Sequence, residues 1–170
     1  MSYNDMQIKE IKKLSSSGLY SEALSLCANL LRDENNIAVL RERAHIYTIM
    51  LRHELAATDW EAIINSDAYN PSDLYLGSES AIACDQYVLA KKWLITLIES
   101  DSRTENWFSS AARFYLAYTN MMEKEFWEAE TWLSEACKID ANISLPIPGV
   151  GLVTAESLGN EIKSRKNKQA

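Results

Sequence analysis

Apolar and polar positions alternate along this chain in the period of an α-helix. Ile8, Ile11 and Leu14 recur at three-residue spacing, as one face of a helix does. Residues 17–31, SGLYSEALSLCANLL, carry the same period, with Ala23, Cys27 and Leu30 in phase. Three further segments repeat that arrangement. HELAATDWEAII aligns Ala56, Trp60 and Ile63, and DQYVLAKKWLITLI aligns Tyr87, Ala90, Leu94 and Leu97. KEFWEAETWLSEACKID aligns Phe126, Ala129, Leu133 and Ala136. Between them lie looser stripes: Leu40, Ala44, Tyr47 and Leu51; Leu74, Ala81 and Ile82; and Phe114, Ala117, Tyr118 and Met121. With only 5 Gly and 3 Pro in 170 residues, little interrupts these helices.

The small residue of the pattern falls at Ala23, Ala56, Ala90 and Ala129, in steps of 33, 34 and 39 residues. An aromatic residue precedes it by three at Tyr20, Tyr87 and Phe126, with His53 in that place in the second copy. Gly18 stands where a turn belongs; Leu51, Asp85 and Lys124 stand at or near the equivalent places. Pro71 and Asp140 fall where a repeat closes. Over roughly residues 4–140 this pattern resembles the tetratricopeptide repeat. The resemblance implies an all-α, right-handed superhelix of about four helical hairpins. It also implies a concave face built from the first helix of each pair. The positions so placed are Lys12, Arg41, His45, Thr48, Tyr75, Glu79, Ile82, Phe114, Tyr118, Met121 and Met122. The Lys/Asn clamp by which some family members hold chaperone tails is absent from them.

The long third step puts about five extra residues into ESDSRTENW, residues 99–107, where Ser102 or Thr104 suits a helix cap. The repeat pattern ends at residue 141. Residues 142–152, with Pro146, Pro148, Gly149 and Gly151 close together, read as an apolar Pro/Gly loop or a short extended segment. Residues 153–165 read as a capping helix with Ala155, Leu158 and Ile162 inward, and 166–170 as a frayed basic tail.

The net charge of −7 argues against general nucleic-acid binding. Its distribution sharpens the picture. From His53 to Ala90 there is no Lys or Arg, and Asp59, Glu61 and Asp67 in that stretch are candidates for an acidic surface that steers a basic partner. The alternative is a solvated face. A second acidic cluster runs through Glu123, Glu125, Glu128, Glu130, Glu135 and Asp140, diluted by Lys124 and Lys138. Trp60 sits at a packing position, whereas Trp93, Trp127 and Trp132 sit beside packing positions and are expected to be partly exposed. Cys27, Cys84 and Cys137 are too far apart for a metal motif, and His45 and His53 add no ligand cluster, so neither metal nor cofactor is expected. The N-terminus lacks a signal-peptide core and no apolar run reaches membrane-spanning length, which points to a cytoplasmic chain with reduced thiols.

No nucleophile motif or phosphate loop is present, and His45 fits a groove residue better than a base. The reading is a non-catalytic scaffold that binds another protein. Analogy with small helical repeats suggests an immunity protein that neutralises a toxin, or a chaperone of the type III secretion kind. A structural subunit that self-associates is a third reading, with LPIPGVG as a docking strip.

Overall fold

The computed structural model describes residues 3–32, 36–100 and 107–169. These form two compact units, divided at Asp73 and Leu74 within one helix.

The first unit holds α1 (Tyr3–Ser16), α2 (Tyr20–Leu30), α3 (Ile37–Ile49), α4 (His53–Ile64) and the opening of α5 (Pro71–Ala83). Ile11, Ala23, Cys27, Val39 and Ile46 form its core, with Ile8, Leu14, Tyr20 and Leu30 packed around them. Burial pushes the Cys27 thiol up to about 11, so it packs as a small protonated apolar group. Asn36 caps α3, accepting from the amides of Ala38 and Val39. Asn70 and Asp73 cap α5 reciprocally. The Asn70 side chain accepts from the Asp73 amide at 3.1 Å, and the Asp73 carboxylate accepts from the Asn70 amide at 2.9 Å. Pro71 takes the first helical position, where its missing N–H costs nothing.

The second unit continues α5 and adds α6 (Tyr87–Ser100), α7 (Trp107–Met122) and α8 (Phe126–Ile139). These are followed by β1 (Ser144–Ile147), β2 (Gly151–Thr154) and α9 (Ala155–Gln169). Helix α7 packs against α6 and α8, and α9 lies on α8 and α7. The core runs through Leu94, Leu97, Phe114, Leu116, Ala129 and Ile162.

The same turn joins the helices of every pair. Gly18, Leu51, Asp85 and Lys124 all adopt left-handed backbone, with φ of 76°, 56°, 59° and 65°. The following amide reaches back five residues: Leu19 to Leu14, Arg52 to Tyr47, Gln86 to Ala81 and Glu125 to Asn120, at 2.8–2.9 Å. These are Schellman closures, which satisfy the free carbonyls of the ending helix. The same residue then opens the next helix, accepting at its carbonyl from the repeat alanine: Ala23, Ala56, Ala90 or Ala129, at 3.0–3.1 Å. All four alanines are fully buried.

Several expectations change. Leu51 does not join the apolar stripe of α3: it is the left-handed turn residue and is 77% exposed. Trp93 is buried, on the inner face of α6, while Trp127 stands in solvent. Residues 144–154 hold two short strands and the turn between them. Ile147–Val150 make a turn with Pro148 second and Gly149 third at φ 76°, closed by a 3.0 Å bond from the Val150 amide to the Ile147 carbonyl. That geometry suits a type II turn and joins β1 to β2 in an antiparallel hairpin pairing Ser144 with Thr154. The tail does not fray at Lys166. Helix α9 runs to Gln169, and Lys166 is held by Glu130 at 2.6 Å and lies 3.1 Å over the Trp127 ring. Leu158 and Ile162 are buried and Ala155 half-buried. The extra residues expected near 99–107, with Ser102 and Thr104, fall almost wholly outside the described residues.

A left-handed conformation costs an L-residue roughly 1–2 kcal/mol, and glycine's freedom in the unfolded chain takes back about 0.5–1. Leu51→Gly should therefore stabilise the chain by about 0.5–1 kcal/mol, read as a higher urea midpoint at unchanged slope. Ala90→Trp should destabilise it by about 3 kcal/mol or more, because the helix pair has no room for an indole. An unchanged melting curve would refute the helix-pair assignment.

Candidate functional site

On the first unit, Arg41, His45 and Thr48 fall on one face of α3, beside Lys12 on α1. Lys12 is exposed and pairs with Glu42 at 3.3 Å, joining α1 to α3. Arg41 is not a free groove residue. Its Nε and a second nitrogen donate to both Asp73 oxygens at 2.8–3.1 Å, and the latter also to the Ala68 carbonyl at 2.5 Å. The guanidinium thus braces the turn that opens α5, and its own fork is used up there. His45 is exposed as a residue, yet its ring stands edge-on to Trp60 at 5.2 Å. Desolvation there lowers its pKa, so the neutral imidazole prevails at pH 7. Thr48 bonds to the Ala44 carbonyl of its own helix.

The acidic surface is smaller than the sequence suggests. Asp59 is buried and paired with Arg43 at 2.6 and 2.8 Å, so it fastens α4 to α3 and presents nothing to a partner. A buried carboxylate needs such a partner, and Arg supplies a matched fork. Glu61 and Asp67 are exposed, as is Glu54. The second acidic cluster is largely neutralised from within. Lys91 meets Glu123 and Glu125, Lys166 meets Glu130, and Arg113 meets Glu135.

On the second unit, Ile82 and Phe114 are core residues: each is at most 3% exposed and neither offers a groove surface. Tyr75 is also buried, its ring against Phe108 at 5.4 Å and Tyr115 at 5.8 Å. Glu79 is half-buried within hydrogen-bond reach of Tyr115, 2.7 Å from its hydroxyl, and the same hydroxyl lies 3.0 Å from the Pro146 carbonyl of β1. One hydroxyl proton faces two acceptors. The Tyr115 hydroxyl shares its proton between the Glu79 carboxyl and the Pro146 carbonyl, and Tyr75 hydrogen-bonds within the same cluster. Burial raises the Glu79 pKa against the pull of both tyrosines. Tyr115 thereby links Glu79 to the hairpin.

Tyr118 and Met121 are mostly buried, but both line an open cleft of about 390 Å3 between the end of α7, the hairpin and α9. Val150, Val153 and Leu158 close its sides. A second cleft of about 310 Å3 adjoins it around Phe126, Lys124 and Lys168. Met121, Met122 and Arg165 belong to both. The sequence reading found the methionines and missed the hairpin and α9 as the other walls. The signal available was the nearness of an apolar LPIPGVG strip to a helix already assigned as a cap.

No family model and no curated protein matches this chain. Solved structures do. YrrB, described as a TPR protein with an unusual peptide-binding site, superposes with a TM-score of 0.67 at 18% identity over 79% of this chain and 68% of its own. A tetratricopeptide repeat protein from Parabacteroides merdae ATCC 43184 gives 0.69 at 18% identity over 97% of this chain, which spans 60% of that protein's length. MamA of AMB-1 gives 0.68 at 18% identity, with 98% and 80% of the two chains covered. The chain has the tetratricopeptide-like (TPR-like) helical repeat fold. In TPR terms, the four left-handed turns lie within the hairpins, and the two clefts lie at the last of these turns and against α9. Among the described residues no three His, Cys, Asp or Glu side chains converge as metal ligands would.

Glu79 gives a test of the local chemistry. A carboxyl whose pKa is raised by folding favours the fold while protonated, so its contribution is intact at pH values below the ordinary Glu range. It declines as pH rises through the window up to the folded pKa. Glu79→Gln should remove that decline and raise stability at pH 7, measured by urea denaturation at pH 5 and pH 8. An identical pH slope in both proteins would mean that Glu79 is ionised in the fold.

Proposed function

We propose that this chain is a non-catalytic scaffold that binds another protein by holding one of its segments, in the manner of a chaperone or adaptor. The observation that carries this reading is the methionine-floored pair of clefts beside the cap. Methionine offers adaptable apolar contact, which suits an extended segment. The TPR-like fold supports it, as does the peptide-binding site ascribed to YrrB. The polar side chains that attract attention in the sequence have structural partners: Arg41 with Asp73, Asp59 with Arg43, and Glu79 with Tyr115.

A second reading, an immunity-type protein that docks on a basic toxin, is favoured by the exposed Glu54, Glu61 and Asp67 in a chain of net charge −7. No described helix is long and apolar enough to cross a membrane, and a cytoplasmic site of action fits both readings. Self-association through the hairpin strip is tested by the same experiment.

The tagged chain should capture a partner from its native host at low salt and keep it at high salt, with the bound protein identified by mass spectrometry. Loss at high salt, together with loss in the Glu54→Lys/Glu61→Lys/Asp67→Lys variant, would establish the electrostatic reading instead. Recovery of the untagged chain alone would identify a homo-oligomer.

A further inference from the structure

We infer that the joined clefts of the second unit bind a segment of a partner protein that pairs an apolar side chain with a carboxylate. This rests on the scaffold reading above and adds the chemistry of the ligand. The floor is apolar: Met121 and Met122 run through both clefts, with Val153 and Leu158 on one side and Phe126 on the other. At about 390 and 310 Å3, each is at the small end of the range for ligand pockets, roughly 300–1,000 Å3. That size takes one or two side chains and not the face of a folded domain.

The charge of the rim selects the ligand. Lys124, Arg165 and Lys168 line it against a single acid, Glu161, which leaves three positive and one negative charge, a local +2. This stands in a chain whose net charge is −7. Arg165 is engaged by Glu161 at 2.6 Å, and its guanidinium also approaches the Met122 sulfur at 3.6 Å, which fixes it across the junction of the clefts. Lys124 and Lys168 are exposed and make no ion pair among the described residues. Lys124 projects from the rigid left-handed turn, so its backbone is already ordered before a ligand arrives. An apolar floor under two exposed lysines outside any ion pair, of which Lys168 also lends its field to Glu161, favours a Leu, Ile, Phe or Met side chain with an acidic group a few residues away. A basic segment would meet repulsion from the same rim.

The test is selection of a displayed library of random linear peptides on the intact chain at low ionic strength. Enriched peptides should share an apolar residue with a nearby Asp or Glu. A synthetic peptide of the enriched sequence, followed by fluorescence anisotropy, should bind Lys124→Glu/Lys168→Glu at least about tenfold more weakly. It should bind Lys124→Gln/Lys168→Gln with an intermediate loss, and Glu61→Lys as it binds the parent. Both lysines are exposed, and circular dichroism checks that each variant is folded. Enriched peptides without an acid, or binding that ignores the lysine variants, would overturn the inference while leaving the scaffold reading standing. No enrichment at all would also overturn it, and the host capture experiment would then decide the scaffold reading separately.

Discussion

Two helices joined by a reversal of one or two residues can lie antiparallel at close range when a small side chain sits at the contact. In this protein one hydrogen-bonded device meets both demands. A left-handed residue ends the first helix, the next residue closes a bond five back, and its carbonyl then starts the second helix by accepting from the buried alanine. The alanine is thus fixed in space by the turn, three residues after an aromatic or histidine side chain at the helix start. The burial within each helix pair follows from that placement: the turn sets the phase in which the stripe of the first helix faces the second.

This device explains how much of the fold could be read from sequence. The alanine steps and the aromatic three residues earlier are side-chain requirements, so they leave a trace. The left-handed residue leaves almost none, because its side chain points to solvent and Gly, Leu, Asp and Lys all occur there. Leu51 is the instructive case: its spacing matches the α3 stripe while the repeat phase puts it at the turn, and the backbone decides for the turn. A short extended segment was one of the two forms expected here, but the hairpin pairing of β1 with β2 left no trace, for a related reason. Its strands have four residues each and one contains Pro146, so neither periodicity nor propensity marks them.

The site was less legible than the fold, and the cause is electrostatic. Charge in a sequence reads as surface, yet here Asp59, Asp73 and Arg41 brace helices from within or at the margin of the core. Burying such pairs contributes little to net stability compared with apolar contacts, but each is costly to break, so they fix geometry. Phe114 and Ile82 mislead in the opposite direction: their spacing on a first helix suits a groove as well as a core, and periodicity cannot tell which neighbour covers them. Met121 and Tyr118 sit at the boundary of both roles, mostly buried yet lining a cleft.

Helix α9 ends in an arrangement with an optical consequence. Trp60 and Trp93 are sealed in the interior and Trp132 is half-buried, while Trp127 is 72% exposed beneath the ammonium of Lys166. Among the tryptophans whose side chains are described, its indole alone stands mostly in solvent, with a cation fixed over its ring by the last turns of α9. Its emission therefore reports the seating of that helix, separately from the melting of the repeats that the buried indoles follow. The molecule carries its own spectroscopic distinction between a loosened end and a lost core.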